Sequence, residues 1–237
     1  MILSSGNRRR FFRAFFFLGI ISFLMQGVSL PLGFGAPTRD EGFGVWNSYD
    51  IEKKLNDQWK IKAGEELRFR EHNGLYYSET HVGANYQPSK YLAMGGEYLE
   101  DRASRSKKND EIWYWESVPR IYLTPQLPYK GFLWENRSML EFRVRQDARF
   151  SMRYRNLTSL TAPWKWTPLQ FQPYTANEIF METQRSGMTE DRFFAGFKVH
   201  WWGPVYGSIY YLRNSLKSTV AKWTALNIFG TGLKICF

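Results

Sequence analysis

Residues Phe132–Arg145 read FLWENRSMLEFRVR. Phe132, Trp134, Leu140, Phe142 and Val144 fall on one parity, and Glu135, Arg137, Glu141, Arg143 and Arg145 fall on the other. A helix would group every third or fourth residue, whereas a period of two is what a pleated strand produces. The alternation recurs on both sides. Trp59, Ile61, Ala63, Leu67 and Phe69 oppose Lys60, Lys62, Glu66, Arg68 and Arg70; Phe150, Met152 and Tyr154 oppose Arg149, Arg153 and Arg155; Phe193, Ala195, Phe197, Val199 and Trp201 oppose Arg192, Lys198 and His200. Weaker runs lie at 45–55, 76–86, 92–100, 112–123, 174–182, 205–212 and 223–237. Turn-forming clusters separate them at Asn56-Asp57, His72-Asn73-Gly74, Gln87-Pro88-Ser89, 124–130 and Gly203-Pro204.

These are eleven strand-like segments, several longer than the five or so residues usual in soluble sheets. A tilted strand needs about 9 to 11 residues to cross a bilayer, and the length available fits 10 to 12 of them. The connections are unequal, with a long charged loop expected over 101–110 and moderate ones over 184–191 and 214–222, the rest being short. The expected fold is therefore all-β, an antiparallel up-and-down transmembrane barrel. An even count is expected of such barrels, which favours twelve strands, with ten as the alternative; a twelfth would lie within 156–172, where Pro163, Trp164, Trp166 and Pro168 obscure the pattern.

Composition agrees with two segregated faces. Aromatic residues make up 18% of the 237 positions, yet 23% are charged and the formal charge is +10. Part of that charge belongs to a leader. Arg8, Arg9, Arg10 and Arg13 precede an apolar run from Ala14 to Met25 and a series of small residues, the layout of a signal peptide over 1–36 cleaved between about 29 and 36. Without those four arginines the remainder, 37–237, has 28 basic and 22 acidic residues, a net +6. Lys and Arg alternate with Glu and form no single basic stripe, which argues against nucleic acid. One cysteine excludes an internal disulfide framework, three histidines leave little for a metal cluster, and no cofactor motif is present.

Alternation does not say which face is inside. The aromatic face is the core of a soluble barrel but the outer wall of a membrane barrel. The C-terminus decides for the membrane: Gly232, Leu233, Ile235 and the terminal Phe237 resemble the assembly signal of bacterial outer-membrane proteins, with Gly230 in a slot that is usually polar. Trp46, Trp59, Trp113, Trp115, Trp164, Trp166, Trp201, Trp202, Tyr210 and Tyr211 lie near strand ends, where interfacial girdles need amphipathic rings.

Trp46 and Trp59, Glu66-Leu67-Arg68, Gly96-Glu97-Tyr98, Glu116 with Pro119, Arg137 to Glu141 with Arg143, Arg153-Tyr154-Arg155, Asn177-Glu178, Arg192 with Gly196, and Tyr211 are spread over the whole barrel region. In order and spacing they resemble an uncharacterised family of bacterial outer-membrane β-barrels, domain of unknown function 2490. The resemblance implies a barrel and an integral outer-membrane location, and brings no activity or ligand.

On the polar face the expected lumen network is Glu66, Arg68, Arg70, Glu97, Glu116, Arg120, Glu135, Arg137, Glu141, Arg143, Arg145, Arg153, Arg155, Glu178, Glu182, Arg192, Lys198 and His200, with a positive sector on the sixth and seventh segments. Fully paired, it makes a structural barrel; partly unpaired, it makes a narrow pore that passes or binds small anionic solutes. The partners expected are outer-membrane lipid and, through the C-terminal strand, the barrel-assembly machinery. Two alternatives are a secreted lipocalin-like barrel binding a small ligand and a lipid-modifying enzyme. For the enzyme, only His81 and His200 stand as candidates, and no catalytic set accompanies them.

Overall fold

A computed structural model describes residues 41–70, 74–107, 110–146, 150–185, 187–217 and 223–237. The signal peptide expected over 1–36, with cleavage between about 29 and 36, lies outside these residues. Eleven strands follow in chain order: β1 (Glu41–Lys54), β2 (Trp59–Arg70), β3 (Gly74–Ser89), β4 (Leu92–Lys107), β5 (Asp110–Tyr129), β6 (Phe132–Arg145), β7 (Ser151–Thr161), β8 (Gln172–Glu182), β9 (Met188–Trp202), β10 (Val205–Lys217) and β11 (Trp223–Cys236). Each pairs antiparallel with its neighbour in sequence, and β1 meets β11 to close the barrel.

The even count is thus not met among the described residues. Asn156–Gln172 holds the second half of β7 and then a loop, with a single isolated bridge between Trp166 and Phe171. Pro163 and Pro168 have no amide hydrogen to give a ladder there. An odd number makes the first and last strands run the same way, and the seam is parallel, from Glu41 opposite Ala225 to Glu52 opposite Cys236.

The seam is pinned by side chains as well as backbone. Phe237 N donates to Glu52 O (2.8 Å) and Lys54 N to Phe237 O (2.9 Å). Thr231 Oγ1 donates to Asn47 Oδ1 (2.7 Å), and Glu52 accepts Lys234 (2.8 Å) and Lys60 (3.0 Å). Deleting Phe237 is therefore expected to cut the yield of folded, heat-modifiable barrel several-fold. Phe237→Leu, which keeps both backbone bonds, separates the ring from the closure: yield as low as in the deletion would assign the loss to the ring alone.

Three expected loops are strand instead. β4 and β5 run on to Lys107 and Asp110, which pair, so 101–107 and Asp110 are strand. β3 extends through Pro88 to Ser89, and β5 through 124–129 to a two-residue turn. That turn is Lys130-Gly131, with φ of 47° and 83°, the left-handed pair a tight hairpin requires. In β5, Pro119 and Pro125 fall where the β5–β6 ladder is interrupted, at Val118-Pro119 and Thr124-Pro125, whereas Pro128 pairs with Leu133 beside the turn.

A row of paired residues leaving β2 at Trp59 passes Tyr86, Met94, Leu123, Ser138, Asn156, Ile179, Asp191, Ser215 and Ala225, and arrives at Glu41 on β1. Glu41 lies three residues before Gly44, the partner of Arg70 at the last position of β2. One circuit therefore climbs the full length of β2, which is the strong strand tilt of a closed barrel.

All eleven strands present large exposed apolar side chains on their outer face, among them Ile51, Ile61, Val82, Tyr98, Ile121, Leu140, Leu160, Met181, Phe193, Ile209 and Phe229. The same parity carries a few exposed charges, including Glu65, Glu100, Arg102 and Arg213. The inner face divides into a charged part on β2 to β9 and an apolar part of Trp46, Leu212 and Ile228 with Phe194, Tyr210 and Leu226 against them. Two residues expected in the outer girdle, Trp46 and Tyr210, thus point inward. Each shares the parity of its strand's inward residues, and proximity to a strand end does not override the pleat.

Candidate functional site

The lumen is built from one register rule. In an antiparallel barrel, inward residues on adjacent strands stand directly opposite, so a glutamate on one strand faces whatever inward residue its partner strand places there. Glu97 on β4 faces Arg120 on β5, Arg120 faces Glu141 on β6, and Glu141 faces Arg153 on β7. The side chains complete what the register begins. Glu97 binds Lys62 and Arg120; Arg120 approaches Glu141 and Glu79, each at 3.9 Å. Glu141 accepts from Arg153 and from Arg155 (2.6 Å), Arg155 reaches Glu178 (2.7 Å), and Arg192 joins Glu178 (3.4 Å) to Glu190 (2.7 Å). Glu141 is 0% exposed.

Nearer the end opposite the C-terminus, Glu116 and Glu182 hold Arg143 between them, and Arg145 lies 3.2 Å from Glu116 and 3.5 Å from Glu182. Arg68 pairs with Glu66 and is stacked between the rings of Trp46 (4.0 Å) and Tyr77 (3.9 Å). Arg192 lies over Phe180 (4.4 Å) and Trp46 (5.0 Å), joining the ion network to the apolar part of the lumen. Burying these charges is tolerable only because each is matched; an unpaired member costs several kcal/mol.

The positive sector expected on the sixth and seventh segments is neutralised by this pairing. Arg143, Arg145, Arg153 and Arg155 all meet carboxylates that come from other strands, which reading one strand at a time does not reveal. The cations without a carboxylate partner among the described residues include Arg137, 5.3 Å from the Tyr122 ring centroid, and Lys198, which donates to Thr161 Oγ1 at 2.9 Å. Both sit in the half of the barrel that holds the C-terminus. Glu135 there accepts from Gln126 (2.8 Å).

The rim residues are not part of the network. Arg70 stacks on Tyr76 at 4.2 Å, and His200 contacts the Gly203 carbonyl at 3.0 Å with its ring on Tyr206. His81 does join the lumen. Its Nε2 is 3.0 Å from Asp50 Oδ1 and its Nδ1 3.7 Å from Glu79 Oε1, so both ring nitrogens face carboxylates and neither faces a hydroxyl nucleophile. The expected network lacked Asp50, Lys62, Glu79 and Glu190. Asp50 and Glu79 stand on strands whose alternation is weak, and only their inward parity could have signalled them. In the β1–β2 turn, outside the barrel wall, the hydrogen bond from Lys54 (2.7 Å) holds the Asp57 carboxyl below its usual range.

Inward glycines make room for the largest lumen side chains. A Cβ on Gly230 would lie 2.1 Å from the Tyr210 ring, and one on Gly95 2.5 Å from the Tyr122 hydroxyl. Gly230, the departure from the usual C-terminal pattern, is glycine because Tyr210 crosses it.

A closed sheet with large apolar side chains outward on every strand and matched charges inward defines a β-barrel of the outer-membrane type. The chain belongs to the family described as "Protein of unknown function (DUF2490)", whose model matches residues 43–225. No curated protein matches the sequence. Among solved structures, the chain is similar to LpxR from Salmonella typhimurium, at 8% identity over 74% of this chain and 83% of that one, with a TM-score of 0.45.

Proposed function

We propose that the protein is an integral outer-membrane barrel with a closed lumen, a structural element of the membrane and not a conduit, with the turn at 55–58 and Phe237 on the periplasmic side. The membrane placement is supported by the outer wall. A monomeric soluble protein rarely exposes apolar patches beyond a few hundred Å², whereas here every strand contributes. The observation that carries the closed lumen is that Glu141, Phe180, Leu212 and Ile228, on four different strands, are each 0% exposed, leaving no room for water beside them. Small anions have a place to bind without passing, at Arg137 and Lys198 in the half of the lumen nearer the C-terminus.

Two measurements test this. Heat-modifiable migration with outer-membrane fractionation tests the placement; recovery of the mature protein in the soluble periplasm would put a lipocalin-like binder in its place. In a planar bilayer the inserted wild-type barrel is expected to give no ohmic conductance steps. Steps with anion preference that Arg143→Glu reverses would make the lumen a pore.

A further inference from the structure

The C-terminal end of the lumen opens into a vestibule. Inward lysines lose exposure with depth there: the side chains of Lys234 and Lys60 are 43% and 34% exposed, Lys62 is 21% exposed, and its partner Glu97 is 0% exposed. Water therefore enters from the end that carries Phe237 and stops at the buried ion network. The charges at this level do not balance. Glu52 is shared by Lys60 and Lys234, Glu97 is shared by Lys62 and Arg120, and Asp50 turns to His81. Glu135 receives the amide of Gln126 and has no cation within ion-pair distance among the described residues. Arg137 and Lys198 stay unmatched, and Lys198 lies within electrostatic reach of Glu135, Lys234 and Arg137. A cleft with an excess of one sign and walls of low dielectric concentrates ions of the other sign.

Two donors at this level have nothing to donate to. Arg137 Nε and Thr124 Oγ1 are buried atoms with no hydrogen-bond partner among the described residues, and Thr124 is 4% exposed. The sheet makes them neighbours. The β5–β6 ladder pairs Leu123 with Ser138 and Gln126 with Glu135 and is interrupted between, where Thr124 and Arg137 are the inward residues of the two strands. A buried guanidinium N–H and a buried hydroxyl without an acceptor are each costly, and a bound acceptor removes the cost. Lys198 approaches from β9, on another side of the lumen. It uses one hydrogen on Thr161 Oγ1 (2.9 Å) and keeps the others free.

We infer that the vestibule is a binding site for a phosphate group, held by Arg137 and Thr124 on one side and by Lys198 on the other. The unmatched pair of cations sets the charge of the ligand, a dianion. The placement of the donors sets its shape. They stand on β5, β6 and β9, so the ligand must offer acceptor oxygens in several directions, which a tetrahedral oxyanion does and chloride or one planar carboxylate does not. A guanidinium fork suits the same group. The open mouth leaves room for a substituent on the remaining oxygen, so inorganic phosphate and a phosphomonoester present the same chemistry to the site. The inference deepens the anion-binding reading above and rests on its closed lumen, which makes the vestibule a blind site.

Barrel purified in mild detergent and titrated calorimetrically with inorganic phosphate, at constant ionic strength with chloride making up the balance, is expected to bind one equivalent. Arg137→Gln and Lys198→Gln should each weaken binding about ten-fold or more, and Thr124→Val several-fold, because each removes a hydrogen bond to a charged group. Arg70→Gln, at the other end of the barrel, should leave the affinity unchanged. Glycerol 3-phosphate distinguishes the sources: equal or tighter binding assigns the site to phosphomonoesters and weaker binding to the free ion, and either supports a phosphate site. Absence of phosphate binding by the folded wild-type barrel would overturn the inference, as would equal binding of chloride or wild-type affinity in both glutamine variants. Heat-modifiable migration certifies each variant as folded, and the wild-type titration against chloride decides the matter where a variant is not. Conductance of the same preparation keeps the two readings apart. A silent barrel that ignores phosphate sinks only this inference, whereas anion-selective steps sink the closed lumen beneath it.

Discussion

Glu141→Leu is expected to destabilise the folded barrel by about 3–5 kcal/mol, the range seen when one partner of a buried ion pair is removed. Glu141 has no exposed surface and binds Arg153 and Arg155, with Arg120 at 3.9 Å. Without it Arg153 keeps no ion pair among the described residues and stands beside Arg155 and Arg120, which retain Glu178 and Glu97. Urea unfolding of barrel folded into vesicles measures the loss, and Glu141→Gln, which keeps the shape and drops the charge, should recover only part of it. Replacing the whole triad, with Glu141→Leu, Arg153→Met and Arg155→Leu together, should recover most of the stability, because a buried ion pair exchanged for apolar side chains of similar volume is often close to neutral. A loss below about 1 kcal/mol for Glu141→Leu alone would mean that water reaches and screens the arginines, and the closed lumen would have to be given up.

Gly230→Val should cost about 3 kcal/mol or more and largely abolish assembly, since the new side chain would enter the space of the Tyr210 ring. Adding Tyr210→Ala should restore folding. The atoms nearest a Cβ at Gly230 are ring atoms that this change removes. Gly196→Val makes the contrast: there the obstruction is Ile209 O at 2.3 Å and Tyr210 Cα at 2.7 Å, backbone that Tyr210→Ala leaves in place, so no rescue is expected. The measurement is the heat-modifiable fraction of each variant. It also separates two meanings of Gly230. If the position matters as a polar slot of an assembly signal, Gly230→Ser should raise the yield; if packing against Tyr210 governs, it should lower it.

Much of the wall could be read from the chain alone. The limits of β2 and β6 and the inward parity of Glu97, Glu116, Glu141, Glu178 and Arg192 follow from a two-residue period, which is a local property of each strand. What was misread was non-local or ambiguous. Pro125 looks like part of a turn until the β5–β6 ladder, interrupted at Thr124-Pro125, shows how a strand accommodates it. Trp46 and Tyr210 look like girdle residues until parity turns them inward. Arginines concentrated on β6 and β7 look like a positive track until Glu116, Glu178 and Glu182 arrive from β5 and β8.

By itself, then, the sequence determined that there are strands, roughly where each begins, and that each has a charged side and an aromatic side. Only the tertiary structure decided that eleven strands close with a parallel seam and which carboxylate answers which arginine; that the charged side faces inward was expected from the C-terminal residues and not from alternation. The reason is physical. Alternation fixes two faces of a strand but carries no sign for the curvature of the sheet, and ion pairing across strands depends on register, which is set by turns and closure and not by any one strand.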